Sequence, residues 1–238
     1  MLRIHCHPNF LGLLSSAIFT PSCKCLALSG SSTGVCVNIG GDYSSTEGLG
    51  QEVHENLGEG NVSFIALGSR GRCYIKYTNG DYVLDGTVGR QLKNDLGNPD
   101  LGNVLSLSFG SSRDSYFLLL RDSYTYCDIP AELETAMNSK TRTSRRFFAS
   151  STRNLPVDDV EDARIVRSML PRVVVRRVSL GPCGEYFVRW SDGDYQLGSQ
   201  FEDVYRGVEG VVAAGGRIEN VLFGERGTFV IRYSEGGG

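Results

Sequence analysis

A phrase of thirteen residues occurs three times in this chain and constrains its fold more than any other feature. The copies are GSRGRCYIKYTNG at residues 68–80, GPCGEYFVRWSDG at 181–193 and GERGTFVIRYSEG at 224–236. Each has glycine at the first, fourth and last positions, an aromatic or β-branched run between them, and a basic residue followed by Tyr or Trp. A repeat that cannot bury its own apolar face must stack on its neighbours. The sequence therefore predicts an array of similar units.

Two looser copies extend this array. GSSRDSYFLLLRD at residues 110–122 keeps the spacing and the apolar run, and a fifth copy ends at Gly41. The closing residues are 39 apart from Gly41 to Gly80 and 43 apart from Gly193 to Gly236, which is close to the length of one propeller blade. The 71 residues from Asp122 to Gly193 exceed this period, so an insertion interrupts the array.

Each unit reads as three short antiparallel strands. Apolar residues alternate in residues 61–68 and 175–181, as in strands with one buried face. The Gly-x-x-Gly stretch that follows allows positive φ and a reversal into an aromatic-rich second strand. Asn79-Gly80 and Asp192-Gly193 are hairpin signals, and the last copy ends in the corresponding Gly236. We predict structural turns at these three glycines, with positive φ at Gly80 and Gly193.

A short connector follows the third strand. Residues 130–140 (PAELETAMNSK) have proline at a plausible first helical position, acids early and Lys140 late, so they predict a short helix. Residues 49–58 and 88–98 look similar but carry glycines, which leaves short helices or single turns as the alternatives for them. The expected fold is all-β: about five β-β-β units in a propeller or propeller-like ring with short connector helices. The alternative is an open α+β repeat stack.

The period also predicts a division of the chain. Residues 1–16 form an N-terminal leader or a strand that closes the ring, and residues 17–137 hold units one to three. Residues 138–170 form an insertion that is first basic and then acidic. Residues 171–238 hold units four and five, the last of them incomplete.

The unit resembles the tryptophan-aspartate (WD) repeat, whose second strand also follows a glycine turn and precedes an Asp-Gly turn. It departs from that family because it lacks the Gly-His pair and the terminal Trp-Asp, and Trp190 is the only tryptophan. It is more similar to uncharacterised repeats of fungal and protist proteins, which carry the phrase G-P-x-G-x-Y-F-V-R-W-x-D-G. The similarity covers residues 62–238, with residues 26–43 less close. The resemblance implies a β-propeller-like fold, and it assigns no activity to any residue of this chain.

Equivalent aromatic residues divide into two sets. Tyr77, Trp190 and Tyr233 hold the same position in three copies, and we expect them inside the stacked sheets because aromatic side chains dominate core energetics. Tyr82 and Tyr195 follow the hairpin turns. In a ring of repeats, they are candidates for equivalent aromatic pockets that bind a glycan.

The insertion holds the candidate docking residues. Residues 138–156 are rich in Ser and Thr and lack acids, as in a flexible segment that docks a partner or is phosphorylated. Its basic residues are Lys140, Arg142, Arg145, Arg146 and Arg153. The alternative is a solvated loop without a role.

Composition narrows the functional classes. A net charge of -3 and a pI near 5.7 give no overall attraction to nucleic acid or to an anionic membrane, and no apolar stretch is long enough to span a bilayer. Seven irregularly spaced cysteines predict thiols in a reducing, cytoplasmic compartment, with secretion as the alternative. His5, His7, Cys23 and Cys25 offer at most half-sites for zinc. Of the three histidines, only His54 lies in the repeats, and no nucleophile motif is near it.

From these patterns we expect a protein that is not an enzyme and needs no cofactor or metal. The expected function is a binding scaffold that mediates protein–protein interaction through its β-repeat ring. The alternative is a carbohydrate-binding, lectin-like propeller.

Overall fold

The computed structural model describes residues 2–6, 23–29, 33–38, 43–45, 49–98, 104–121, 123–141 and 173–235. In these residues the chain is mostly β, with five three-stranded antiparallel sheets and four short α-helices. This agrees with the expected mostly β character and with the repeat of three strands.

Four sheets are built from consecutive segments of the chain, each in the order first, second and third strand. Their strands are β2 (Cys23–Ser29), β3 (Thr33–Asn38) and β4 (Tyr43–Ser45); β5 (Val62–Leu67), β6 (Cys73–Tyr77) and β7 (Tyr82–Asp85); β8 (Val104–Phe109), β9 (Tyr116–Leu120) and β10 (Tyr124–Cys127); β11 (Val175–Leu180), β12 (Tyr186–Trp190) and β13 (Tyr195–Gly198). The remaining sheet joins the two ends of the chain, because β1 (Leu2–Cys6) pairs with β15 (Phe229–Glu235), which pairs with β14 (Gly216–Phe223).

We call β2, β5, β8, β11 and β14 the inner strands, because they contact one another between sheets. Contacts join β2 to β5, β5 to β8, β8 to β11, and β11 to β14, and β14 also contacts β2. We call β3, β6, β9, β12 and β15 the middle strands, and β4, β7, β10, β13 and β1 the outer strands. Residues of all five inner strands line a cavity of about 330 Å³, which we call the inter-sheet cavity.

Each of four outer strands is followed by a helix. The helices are α1 (Gln51–Gly58), α2 (Arg90–Gly97), α3 (Ala131–Thr141) and α4 (Glu202–Ala213). Each buries apolar side chains in a core shared by the sheet before it and the sheet after it; Leu133 and Met137 of α3, for example, pack with Phe117 of β9 and Val188 of β12. Of the two alternatives for residues 49–58 and 88–98, the structure has short helices, the eight-residue α1 and α2. Packing between sheets outweighs the low helix propensity of their glycines.

The same β-bulge occurs at the equivalent point of all the sheets described. The register between inner and middle strands shifts at 23/25, 62/64, 104/106, 175/177 and 218/220. A bulge adds one residue to a strand, bends it and increases its twist. Because the bulge recurs at the equivalent residue, the inner strands can be aligned residue by residue, even where the sequence repeat is weak.

The hairpin turns have the geometry that their sequences require. Gly80 and Gly193 have φ of 99° and 93°, and their backbone N–H groups donate to the carbonyls of Tyr77 and Trp190 at 3.2 and 3.1 Å. Asn79 and Asp192 each accept a hydrogen bond from the backbone N–H two residues later. Gly236 lies outside the described residues.

The two glycines of the Gly-x-x-Gly turn have different structural roles. The fourth glycine lies at positive φ, 72° at Gly71 and 85° at Gly184, as expected. The first glycine does not. A Cβ on Gly68 would lie 2.7 Å from Cβ of Phe109, and one on Gly181 would lie 2.9 Å from Cβ of Phe223. Phe109 and Phe223 belong to the next inner strand, so the first glycine permits close packing between sheets.

Candidate functional site

The repeated aromatic position of the middle strands is part of the core. Tyr77 is buried, Trp190 is only 3% exposed, and Tyr233 is half-buried against the last apolar cluster. Each lies opposite the residue that precedes the bulge of its inner strand. The Tyr77 hydroxyl donates to the carbonyl of Asn56 in α1 at 2.9 Å. These side chains therefore stabilise the stacking of sheets and helices.

A second aromatic position recurs at the start of four outer strands. It is occupied by Tyr43, Tyr82, Tyr124 and Tyr195, which lie opposite Val37, Lys76, Leu119 and Arg189 in the register. Tyr82 and Tyr195 are 43% and 39% exposed. The sequence reasoning missed Tyr124, because its unit lacks the Gly-Asp-Tyr turn that marks the others.

Both exposed tyrosines rest on a second ring. Tyr82 packs on Tyr74 with ring centroids 5.6 Å apart, and Tyr195 packs on Phe187 at 5.8 Å. Such aromatic pairs hold side chains in defined positions. Tyr82 and Tyr195 are therefore preorganised aromatic groups on different sheets.

A cavity of about 360 Å³ adjoins Tyr195 at the end of α3. Its walls include Ser139, Lys140, Trp190, Asp194 and Gln196. The Lys140 ammonium lies 5.2 Å from the centroid of the Trp190 ring, and it forms ion pairs with Asp192 at 3.0 Å and with Asp194. Hydrogen bonds to Asp194 and then Asp192 raise the pKa of Lys140, and the Lys140 bond lowers the pKa of Asp192.

Lys140 is the one predicted docking residue within the described part of the chain, where it is the last but one residue of α3. Helix α3 thus extends to Thr141, beyond residue 138, where the insertion was predicted to begin. Arg142, Arg145, Arg146 and Arg153 lie outside the described residues.

In two middle strands, the basic side chain of the repeat binds a residue of the next sheet. Lys76 donates from its ammonium to the carbonyl of Val104 at 2.8 Å, and Arg189 forms an ion pair with Glu219. Val104 and Glu219 both lie at the bulge of the following inner strand. Arg232 holds the same repeat position in β15 and lines the inter-sheet cavity with Lys76 and Arg177.

Burial and charge act together on Arg232. Its pKa is lowered, first by burial and then by the neighbouring Arg177 guanidinium. The sequence pattern contained the signal for this group, since a basic residue precedes the aromatic one in three copies. The sequence does not show, however, that Arg177 of the neighbouring sheet lies near Arg232. That placement depends on the strand register of both sheets.

Other reactive groups have structural partners. The Tyr43 hydroxyl lies 3.2 Å from Nδ1 of His54. Burial raises the pKa of the Cys73 thiol to about 12. Among the residues that the structure describes, no three His, Cys, Asp or Glu side chains are grouped to hold a metal, and none of the described helices is long and apolar enough to cross a bilayer.

Comparison with known proteins adds no family to this geometry. The chain matches no protein-family model and no curated protein.

Proposed function

We propose that this chain is a non-catalytic binding scaffold in which a closed, propeller-like ring of five sheets presents its outer strands to a protein partner. The observation that carries the proposal is the repeated outer tyrosine. Tyr82 and Tyr195 are exposed, rigid, and set at equivalent positions on separate sheets. Tyrosine is enriched at the energetic centres of protein interfaces because it offers a large amphipathic surface at low entropic cost.

The contacts between the first and last sheets of the array support a closed ring. The contact of β14 with β2 and the pairing of β1 with β15 both support closure. Each inner strand is the edge of its three-stranded sheet, and a closed ring leaves these edges short and protected, which limits edge-to-edge aggregation. In this arrangement the outer strands lie at the rim.

A non-catalytic role is supported by the repetition of the buried polar positions. Arg72, Ser115, Glu185 and Thr228 all follow the Gly-x-x-Gly turn or its remnant, and all are buried. Buried polar residues that recur at one position in four sheets point to a structural role, whereas one active site needs one constellation. We also propose a reducing, cytoplasmic location, since Cys73 is a deeply buried thiol without a disulfide.

The basic segment remains part of this proposal as a second docking element. Lys140 is held by Asp192 and Asp194, so docking there depends on the four arginines that follow it. Attraction of this kind weakens with salt.

The test is a quantitative pull-down that compares three variants. Tyr82→Ala and Tyr195→Ala should each lose the same set of bound proteins. Tyr205→Ala is the matched control, because Tyr205 is a similarly exposed tyrosine on α4 outside the repeated position. Circular dichroism should show that all three variants fold. Equal retention of partners by all variants would overturn the proposal.

A second candidate function is carbohydrate binding. It is favoured by the cavity beside Tyr195, where Asp194 and Gln196 supply hydrogen-bonding groups next to an aromatic ring. A glycan array separates the two functions. Glycan binding that is lost in Gln196→Ala and Tyr195→Ala but kept in Tyr82→Ala would assign the protein to the lectin class.

A further inference from the structure

Three polar side chains meet at one level of the inter-sheet cavity. Arg177 and Asn220 are the first residues after the bulge in β11 and β14, and β11 contacts β14. Asn220 lies directly opposite Arg232 in the register of β14 and β15. Residues opposite each other in antiparallel strands project from the same face of a sheet. All three side chains line the cavity.

The cavity wall carries an excess of positive charge. Its charged lining residues, within the described part of the chain, are Lys76, Arg177 and Arg232, with no carboxylate. Glu219 is an acid whose charge acts on Arg232, but its two oxygens already accept from Arg189 and from the Ser234 hydroxyl. Arg177 and Arg232 carry like charges and repel each other, and this repulsion adds to the effect of burial in lowering the pKa of Arg232.

Arg232 also differs from its two repeat equivalents. Lys76 and Arg189 each bind an oxygen at the bulge of the next sheet. The described residues provide no hydrogen-bond acceptor or ion-pair partner for Arg232 or for Arg177. Arg232 is half-buried and Arg177 is exposed, and the two positive charges lie on a cavity wall without a carboxylate. A counter-anion is therefore the group that would complete this site.

Asn220 supplies neutral donors to the same place. Its Oδ1 accepts a hydrogen bond from the Ser179 hydroxyl at 2.9 Å, which fixes the orientation of the amide. Its NH₂ group is therefore left as a donor beside the two guanidinium groups. The site can offer donors from three directions to a single anion.

We propose that the inter-sheet cavity binds a small anion of the phosphate class, held by Arg177, Arg232 and Asn220. Arginine forks match phosphate oxygens in bidentate geometry. A tetrahedral oxyanion has enough oxygens for two guanidinium groups and an amide, whereas a carboxylate has two. The cavity of about 330 Å³ has room for inorganic phosphate or a small phosphate ester. This site is separate from the outer tyrosines and goes beyond the scaffold function.

The test measures the binding of inorganic phosphate to the full chain by calorimetry, and the effect of phosphate on the melting temperature. Phosphate should raise the melting temperature more than sodium chloride of equal ionic strength. Arg177→Gln and Arg232→Gln should each weaken phosphate binding by about tenfold or more, the worth of one charge-assisted hydrogen bond. Without phosphate, Arg232→Gln should melt no lower than the unsubstituted protein, because it relieves repulsion.

Arg176→Gln is the matched control. Arg176 is the bulge residue next to Arg177, and both are exposed. The substitution removes the same charge from the same strand, but Arg176 does not line the cavity. It should bind phosphate like the unsubstituted protein. Equal losses in Arg176→Gln and Arg177→Gln would mean a diffuse surface effect and would overturn the site.

Two further ligands define its chemistry. Glycerol phosphate should bind as well as inorganic phosphate or better if the site accepts an ester. Acetate at equal concentration should bind much more weakly than phosphate, and equal binding would overturn the assignment to phosphates. A phosphate response no greater than that of chloride would overturn the proposal as a whole.

Discussion

The turns at residues 68–72 and 181–185 are closed by the same backbone hydrogen bond but bury opposite charges. The glycine N–H bonds the carbonyl four residues later at 2.8 Å in both turns. Arg72 and Glu185 occupy the same position, and each is 2% exposed. Arg72 satisfies its guanidinium fully, whereas Glu185 has one oxygen with no hydrogen-bond partner among the described residues. The glycines thus permit the turn, and the buried residue that follows determines whether its polar atoms are all hydrogen-bonded.

Arg72 works as a clamp between sheets. Its Nη2 donates to the carbonyl of Gly110 at 2.6 Å, and its Nη1 donates to those of Ser112 and Ser115 at 2.5 and 3.4 Å. Its guanidinium lies 5.1 Å from the ring centroid of Phe109. Glu185 makes only a local bond, accepting from the backbone N–H of Cys183 at 2.8 Å.

The largest expected effect comes from breaking the clamp. Arg72→Ala should lower the free energy of unfolding by on the order of 3 to 5 kcal/mol, because it opens a cavity and strips carbonyls of the next sheet of charged donors. Chemical denaturation measures this loss. Glu185→Ala removes a side chain of similar depth without a bond to the next sheet and should cost clearly less. Similar losses in both variants would show that depth alone matters.

A smaller loss of stability is expected when a side chain is added to the first glycine of the second turn. Gly181→Ala brings a Cβ to 2.9 Å from Cβ of Phe223 and should cost about 1 to 3 kcal/mol through overpacking. Thermal melting provides the measurement.

Gly210→Ala is the control for that substitution. Gly210 lies in α4, where a Cβ would meet nothing within 4 Å, so alanine should be neutral or stabilising by up to about 1 kcal/mol. If Gly181→Ala is equally harmless, the first glycine of the repeat has no packing role.

Sequence reasoning recovered the features that depend on local chemistry. Alternation and Asn-Gly or Asp-Gly signals located the strands and the turns at Gly80 and Gly193, because hairpin geometry depends on a few adjacent residues. For the helices at residues 51–58 and 90–97, the sequence left helix or single turn open, because packing between sheets stabilises them and their local propensity is weak. The same limit hid the packing role of Gly68 and the meeting of Arg177 with Arg232, since both depend on how separate sheets align.

The smallest effect should come from neutralising Glu185. Burial raises the pKa of this carboxyl, so the folded state binds its proton more tightly than the unfolded chain does. Its ionised form therefore destabilises the fold as the pH rises through and above the usual range of a glutamate, and no such penalty exists well below that range. Glu185→Gln should gain about 1 kcal/mol at pH 7, the order of cost of a buried unsatisfied acceptor, and nothing at low pH. Denaturation curves at both pH values test the sign. Glu209→Gln, at an exposed position of α4, should change stability little at either pH. A gain at Glu185 that is equal at both pH values would assign it to packing and not to charge, and would remove the electrostatic half of the contrast with Arg72.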